Sequence, residues 1–315
     1  MKPLEKNSKI YVAGHRGLVG SSIVRALQAR GFQNLLLKTS QEVDLRRQVE
    51  VENLLNNEKP EYIIIAAARV GGIVANRDYP SEFLYDNLMI SANIIHAAAQ
   101  LSSVKKLLFL GSSCIFPKFA AQPIVEESLL TGALESTNEA YALSKIAGLK
   151  LTEYYNRQYN KPFISAMPSN LYGPGDNFNL ELSHVIPALV RRFHEAKIAG
   201  AAELKVWGTG TPFREFLYAE DLAEGCLFLL ENYNEAAFIN LGSGEEISIR
   251  ELAVLISKVV GFQGKIAFDP SKPDGTPRKM MDNSKVLKMG WKAKVPLAEG
   301  IMRTYEWFLK NEIRG

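Results

Sequence analysis

The chain has 315 residues, 47% hydrophobic, 10% aromatic and 23% charged, which excludes intrinsic disorder and, at ~100–200 residues per domain, accommodates two domains. The 37 Lys and Arg against 34 Asp and Glu leave a net charge of only +3, so neither nucleic acid nor a membrane surface is expected as partner, although a local basic site for a small anion is compatible with it. Two cysteines, Cys114 and Cys226, make no disulfide framework, the first residues carry no apolar leader core, and no run approaches the ~18 apolar residues of a membrane helix; a soluble, cytoplasmic protein is expected.

Taken in chain order, Ile10–Ala13 is a short apolar run that ends at glycines, and 17–30 reads as a helix stopped by Gly31. A second strand is predicted at 35–37 and a helix over 44–57. The continuous apolar run 62–67 suits a strand buried on both faces. A long helix over 81–100, a strand over 104–110, a helix over 136–159 with Ser136 and Glu139 as capping box, and a strand over 163–167 complete the series. This alternation predicts an α/β fold, a Rossmann-type doubly wound parallel sheet with helices on both faces. His96, in an apolar helix, is expected to pack in the core.

After Met167 the texture changes. The stretch 170–177 is rich in turn residues, 183–196 reads as a helix, and short strands follow at 204–207 and 216–217. The segment 220–241, a helix and then a strand, is placed to return to the first sheet. The expected division is a cofactor domain of about 1–170 plus 215–245 and a smaller, discontinuous α/β substrate-binding domain of about 171–214 and 246–315.

The run Gly14-His15-Arg16-Gly17-Leu18-Val19-Gly20 lies between the first strand and helix. Glycines there permit a tight turn and close approach of backbone to a pyrophosphate, whose charge meets the helix N-terminus. A site for a nicotinamide dinucleotide without the 2′-phosphate ends its second strand in a carboxylate; here that strand runs into Lys38-Thr39-Ser40. NADP(H) is therefore the expected cofactor, with Arg16 and, less well placed, Lys38 near the 2′-phosphate. Further on, Tyr141 and Lys145 are four apart and share one helix face. A fixed cation lowers the ordinary phenol pKa of ~10. Ser112, at a strand end, can donate to the same substrate oxygen.

With these elements in place the sequence resembles the extended short-chain dehydrogenase/reductase family. The resemblance extends to Ala66-Ala-Ala-Arg-Val-Gly-Gly-Ile-Val-Ala-Asn76, Gly111-Ser-Ser-Cys-Ile-Phe-Pro117, Asn170-Leu-Tyr-Gly-Pro174 and Lys272-Pro-Asp-Gly-Thr-Pro-Arg-Lys279, which look like its GDP-4-keto-6-deoxy-D-mannose 3,5-epimerase/4-reductase branch over essentially the whole chain. Phe116 stands where that branch often has tyrosine. The resemblance implies a reductase set of Ser112, Tyr141 and Lys145, and an epimerase pair of Cys114 as base and His184 as acid. It implies cofactor contacts from the glycine turn, Leu110, Gly111, Ser112, Tyr141, Lys145, Pro168, Asn170, Leu171 and His184. It implies that Arg192, Trp207, Arg214, Asp274 and Lys279 hold the GDP-sugar. No metal is implied. A 4-epimerase or 4,6-dehydratase of the same family, and a non-catalytic NADP sensor, are the alternatives; a dehydratase needs a carboxylate where this chain has Ser113 and Cys114, an NAD-retaining 4-epimerase is expected to carry an acidic residue at Lys38, and a sensor has no reason to keep Tyr141, Lys145 and Ser112 in register. Residues 87–99 are apolar nearly all round, so that helix is expected to bury a second face in a homodimer.

Overall fold

The computed structural model describes residues 4–180, 183–272 and 274–312; Pro273 of the C-terminal motif and the first three residues lie outside them. Strands β1 (Ile10–Ala13), β2 (Leu35–Leu36), β3 (Tyr62–Ile65), β4 (Lys106–Leu110), β5 (Phe163–Pro168) and β9 (Ile239–Leu241) form one sheet in the order β2-β1-β3-β4-β5-β9. All five pairings are parallel. Successive strand residues alternate between two cores, as a period of two requires. Tyr11, Ile63, Ile65 and Phe109 face α2 (Gln48–Glu58), α4 (Pro80–Gln100) and α5 (Glu139–Tyr159). Ile10, Val12, Ile64 and Leu108 face α1 (Leu18–Ala29) and α7 (Ala219–Asn232). The order reverses between β1 and β3, and a crevice opens over the strand ends at such a switch point.

The second lobe has its own core of Tyr172, Phe178, Phe193, Ile256 and Phe308. It comprises β6 (Asn170–Tyr172), α6 (Val185–Ile198), β7 (Glu203–Trp207), β8 (Phe213–Tyr218), β10 (Glu246–Ser248), α8 (Ile249–Val260), β11 (Lys265–Asp269), β12 (Arg278–Lys279) and α10 (Leu297–Lys310). Short helices α3 (Ile73–Asp78) and α9 (Ser284–Lys288) complete the fold. β8 pairs with β6, β10 and β12, so the chain re-enters the six-stranded sheet only with α7 and β9.

Several local expectations are corrected. Residues 170–172 are strand, because Asn170 pairs with Phe216 in a parallel ladder. α5 is capped by Asn138 without a side-chain cap bond, so Ser136 and Glu139 form no capping box. That motif occurs instead at Ser248 and Glu251, where hydroxyl and carboxylate each accept the other residue's N–H at 3.1 Å. α2 starts at Gln48 because the Asp44 carboxylate accepts from the Arg46 N–H at 3.0 Å and from its guanidinium at 2.9 Å, a local alternative to helical bonding. His96 is exposed and bonds the Tyr155 hydroxyl at 2.6 Å; it is not a core residue.

Candidate active site

One cleft of about 1110 Å³ lies over the strand ends between the two lobes, and it collects every sequence-predicted site residue except Gly20. Gly20 acts one layer below. A Cβ there would stand 2.1 Å from the Gly14 carbonyl, and Gly14, at φ +84°, would push a Cβ to 2.7 Å from Ala67. These two positions make the turn tight. Gly17, the N-cap of α1, supplies no side-chain cap, so the first N–H groups of the helix face the cleft without a protein partner of that kind. Bare backbone ahead of a helix N-terminus fits a dinucleotide diphosphate. Arg16 is exposed and has no carboxylate partner among the described residues, whereas Lys38 is tied to Glu42 at 3.4 Å.

β4 ends at Leu110, and Gly111, Ser112 and Cys114 follow on a short turn of 3₁₀ helix, where the Cys114 N–H points to the Ser112 hydroxyl at 3.4 Å. α5 crosses beside this turn. Lys145 donates to the Leu110 carbonyl at 3.0 Å, and its ammonium lies 5.7 Å from the centre of the Tyr141 ring. Burial lowers the lysine to about 8. Burial also raises Tyr141, with Cys114 adding to the rise and a hydrogen bond to Ser112 opposing it. The expected lowering by a cation is thus not found: taking the phenolate out of water dominates, opposed only by the Ser112 hydrogen bond, and the phenol stays protonated at neutral pH. Cys114 is also raised by burial, against the pull of Lys279, Ser112 and Lys145. His184 heads α6, opens to the cleft, and is lowered by desolvation and by Lys279. Pro168, Asn170 and Leu171 line the same cleft.

The far end is basic. Arg214 and Lys279 are paired in register across β8 and β12, and Lys279 is lowered to about 8 by burial. Trp207 lies with the Arg192 guanidinium 5.9 Å and the Lys272 ammonium 5.5 Å from its ring centre. Asp274 accepts from the Thr209 N–H and hydroxyl, both at 2.8 Å, closing the 208–211 turn while leaving further lone pairs. Sequence reasoning missed Asp44, Arg46, Arg69 and Asp86, which line the cleft. Asp86 holds Arg46 at 3.3 Å and Arg69 at 3.1 Å, a cluster no local spacing announces. It also missed Asp176, whose only signal is its place after a Gly-Pro turn.

The NAD dependent epimerase/dehydratase family model matches residues 10–242. GDP-L-fucose synthase 1 of Arabidopsis thaliana is 59% identical over 307 residues, covering 98% of this chain and 95% of the relative. GDP-L-fucose synthase of Escherichia coli is 51% identical over 315 residues, covering 97% and 98%. Among solved structures, a GDP-L-fucose synthetase from Naegleria fowleri bound to NADP superposes with a TM-score of 0.91 at 33% identity, over 98% of this chain and 95% of that one.

Proposed function

The chain belongs to the NAD dependent epimerase/dehydratase family, and on that footing we propose that it converts GDP-4-keto-6-deoxy-D-mannose to GDP-L-fucose, by epimerisation at C3 and C5 and reduction at C4. It is an enzyme, and its cofactor is NADP(H). One observation carries the reading: a single cleft places a protonated phenol and a buried ammonium beside a thiol and an imidazole, between a dinucleotide cradle and a basic end.

The residues divide the work as follows. The 4-keto group acidifies the neighbouring C–H bonds, and the Cys114 sulfur removes the protons at C3 and C5. Lys279, Ser112 and Lys145 draw the thiol toward its ionised form against the effect of burial. His184 returns a proton. NADP(H) held at the glycine turn would supply the hydride for reduction at C4. Tyr141, kept protonated by burial, donates to O4, with Ser112 on the same oxygen and Lys145 fixed by the Leu110 carbonyl. The basic set Arg192, Arg214 and Lys279 binds the substrate diphosphate, and Trp207 and Asp274 meet the nucleoside. Lys38, less available than Arg16 through its pairing with Glu42, supports the 2′-phosphate site.

We divide the chain into a cofactor lobe of about 1–170 with 215–245 and a GDP-sugar lobe of about 171–214 with 246–315. The proposed assembly is a cytoplasmic homodimer joined through α4 and α5, whose surfaces leave Tyr85, Leu143 and Tyr154 exposed. No helix among the described residues is long and apolar enough to cross a membrane. The test of the activity is NADPH consumption on addition of GDP-4-keto-6-deoxy-D-mannose, with the sugar of the product identified. A product retaining the substrate's C3 and C5 configuration would overturn the dual activity.

A further inference from the structure

Asp176 is a carboxyl in the cleft that the roles above do not use. It closes the turn after β6, its N–H donating to the Gly173 carbonyl at 3.3 Å. The residue is only 6% exposed, and it lines the cleft. Its Oδ1 accepts from the Asn177 N–H at 2.8 Å. Its Oδ2 is buried without a hydrogen-bond partner among the described residues. An unsatisfied buried polar atom costs ~1–3 kcal/mol, and a bound ligand is one way a native protein accounts for it.

The position of the turn points to the ligand. At Gly175, φ +85°, a Cβ would stand 3.9 Å from the Ser21 hydroxyl. Ser21 belongs to the first turn of α1, and its hydroxyl donates to the Leu18 carbonyl at 3.2 Å. The 173–176 turn is therefore packed against the helix end that follows the glycine cradle, where a diphosphate is held. We propose that Asp176 is a cofactor contact, its free carboxyl oxygen donating a hydrogen bond to the diphosphate of NADP(H). This rests on the NADP(H) reading above.

The chemistry constrains the protonation state. Phosphate oxygens only accept, so the carboxyl must carry the proton; ionised, it would set like charges side by side. Burial pushes Asp176 up to about 7, opposed only by the Asn177 N–H. The charged and titratable groups on surrounding elements are His15 and Arg16 on the glycine turn, Arg25 on α1, Tyr141 and Lys145 on α5, His184 at the head of α6, and Glu220 and Asp221 on α7. Arg25 pairs with Glu220 at 3.7 Å, and Asp221 accepts from the Lys294 and Val295 N–H groups at 3.0 and 2.8 Å. His15 and His184 are both held below their ordinary value, whereas burial lowers Lys145 to about 8, so the pH dependence that belongs to Asp176 is the part that disappears when Asp176 alone is replaced.

The test is fluorescence titration of the full chain with NADPH, and separately with GDP, at ~pH 6 and ~pH 8, on either side of the Asp176 titration. Wild type should lose roughly tenfold in NADPH affinity over that range, the factor a group titrating one unit below the upper pH imposes. Asp176→Asn, which keeps a donor and cannot ionise, should match wild type at ~pH 6 and bind roughly tenfold more tightly than wild type at ~pH 8. Asp176→Ala should bind NADPH roughly tenfold more weakly than wild type at ~pH 6 and should lack the Asp176 part of the slope, and GDP affinity, whose own pH response follows Lys279 lowered to about 8, should be the same in wild type and both variants at each pH. A wild-type slope retained in Asp176→Asn overturns the proposal while leaving the cofactor reading intact. So does a change in GDP affinity, in place of NADPH affinity, when Asp176 is replaced, which would give the contact to the substrate diphosphate. Wild type that binds no NADPH at either pH overturns the cofactor reading itself, and this proposal with it.

Discussion

Glu215 is fully buried on β8, beside Arg214, and its carboxylate accepts from the Gly244 N–H at 2.8 Å, the Met281 N–H at 3.0 Å and the Asn283 amide at 3.0 Å. It thereby ties β8 to the segment that follows Lys279 and to the turn after β9. Glu215→Ala strands three buried donors at once. At ~1–3 kcal/mol for each, reduced by relaxation and entering water, the loss should be about 3–5 kcal/mol. With ~2–4 °C per kcal/mol for a chain of this class, the thermal midpoint should fall on the order of 10 °C. The loss should also be directional. Met281 is two residues from Lys279, which pairs with Arg214 in the ladder, so GDP affinity should fall far more than NADPH affinity, whose cradle belongs to the other sheet. Circular dichroism melts and parallel titrations with GDP and NADPH at a temperature where the variant is folded would measure both. Glu215→Gln should recover only part of the loss, since its amide nitrogen sets a donor against a donor. A destabilisation below ~1 kcal/mol, or equal weakening of both ligands, would refute the reasoning.

Three further outcomes are expected. Arg16→Ala should weaken NADPH by ~10–150-fold and NADH little, since one charge-assisted contact to the 2′-phosphate is worth ~1.5–3 kcal/mol; equal losses, read by fluorescence titration, would mean that Arg16 only shapes the turn. Tyr141→Phe should keep exchange of substrate C3 and C5 protons with D2O while losing NADPH oxidation, and Cys114→Ala should lose the exchange while retaining residual reduction to an un-epimerised sugar. Mass spectrometry of both would show this, and wild-type exchange in Cys114→Ala would reduce that thiol to packing. Light scattering at micromolar concentration should give twice the chain mass, and introducing a charge by Leu143→Glu, on the exposed face of α5, should shift it toward the monomer.

Much of the cofactor half was legible because its signals are local. Ile10–Ala13, the glycine turn and the buried run at 62–65 state their structure through composition and period within a few residues. The spacing of Tyr141 and Lys145 fixes their shared helix face whatever surrounds it. The roles proposed for Cys114 and His184 rest on resemblance, since neither residue announces acid–base chemistry by its own spacing.

What the residues alone determined was the alternation of strand and helix, the glycine cradle and the chemical types brought to the cleft. Tertiary structure decided the rest, because the deciding contacts join positions far apart in the chain. Residues 170–172 became a strand because β8, more than forty positions on, offered a ladder. Ser136 has no capping role because α5 starts at Glu139 with Asn138 as its N-cap. Tyr141 was driven upward in pKa instead of down because its burial, invisible in a four-residue spacing, dominates its surroundings. The partnerless oxygen of Asp176 and the three donors gathered by Glu215 arise in the same way. Burial and long-range hydrogen bonding are properties of the assembled chain, and they set the protonation states on which the proposed chemistry depends.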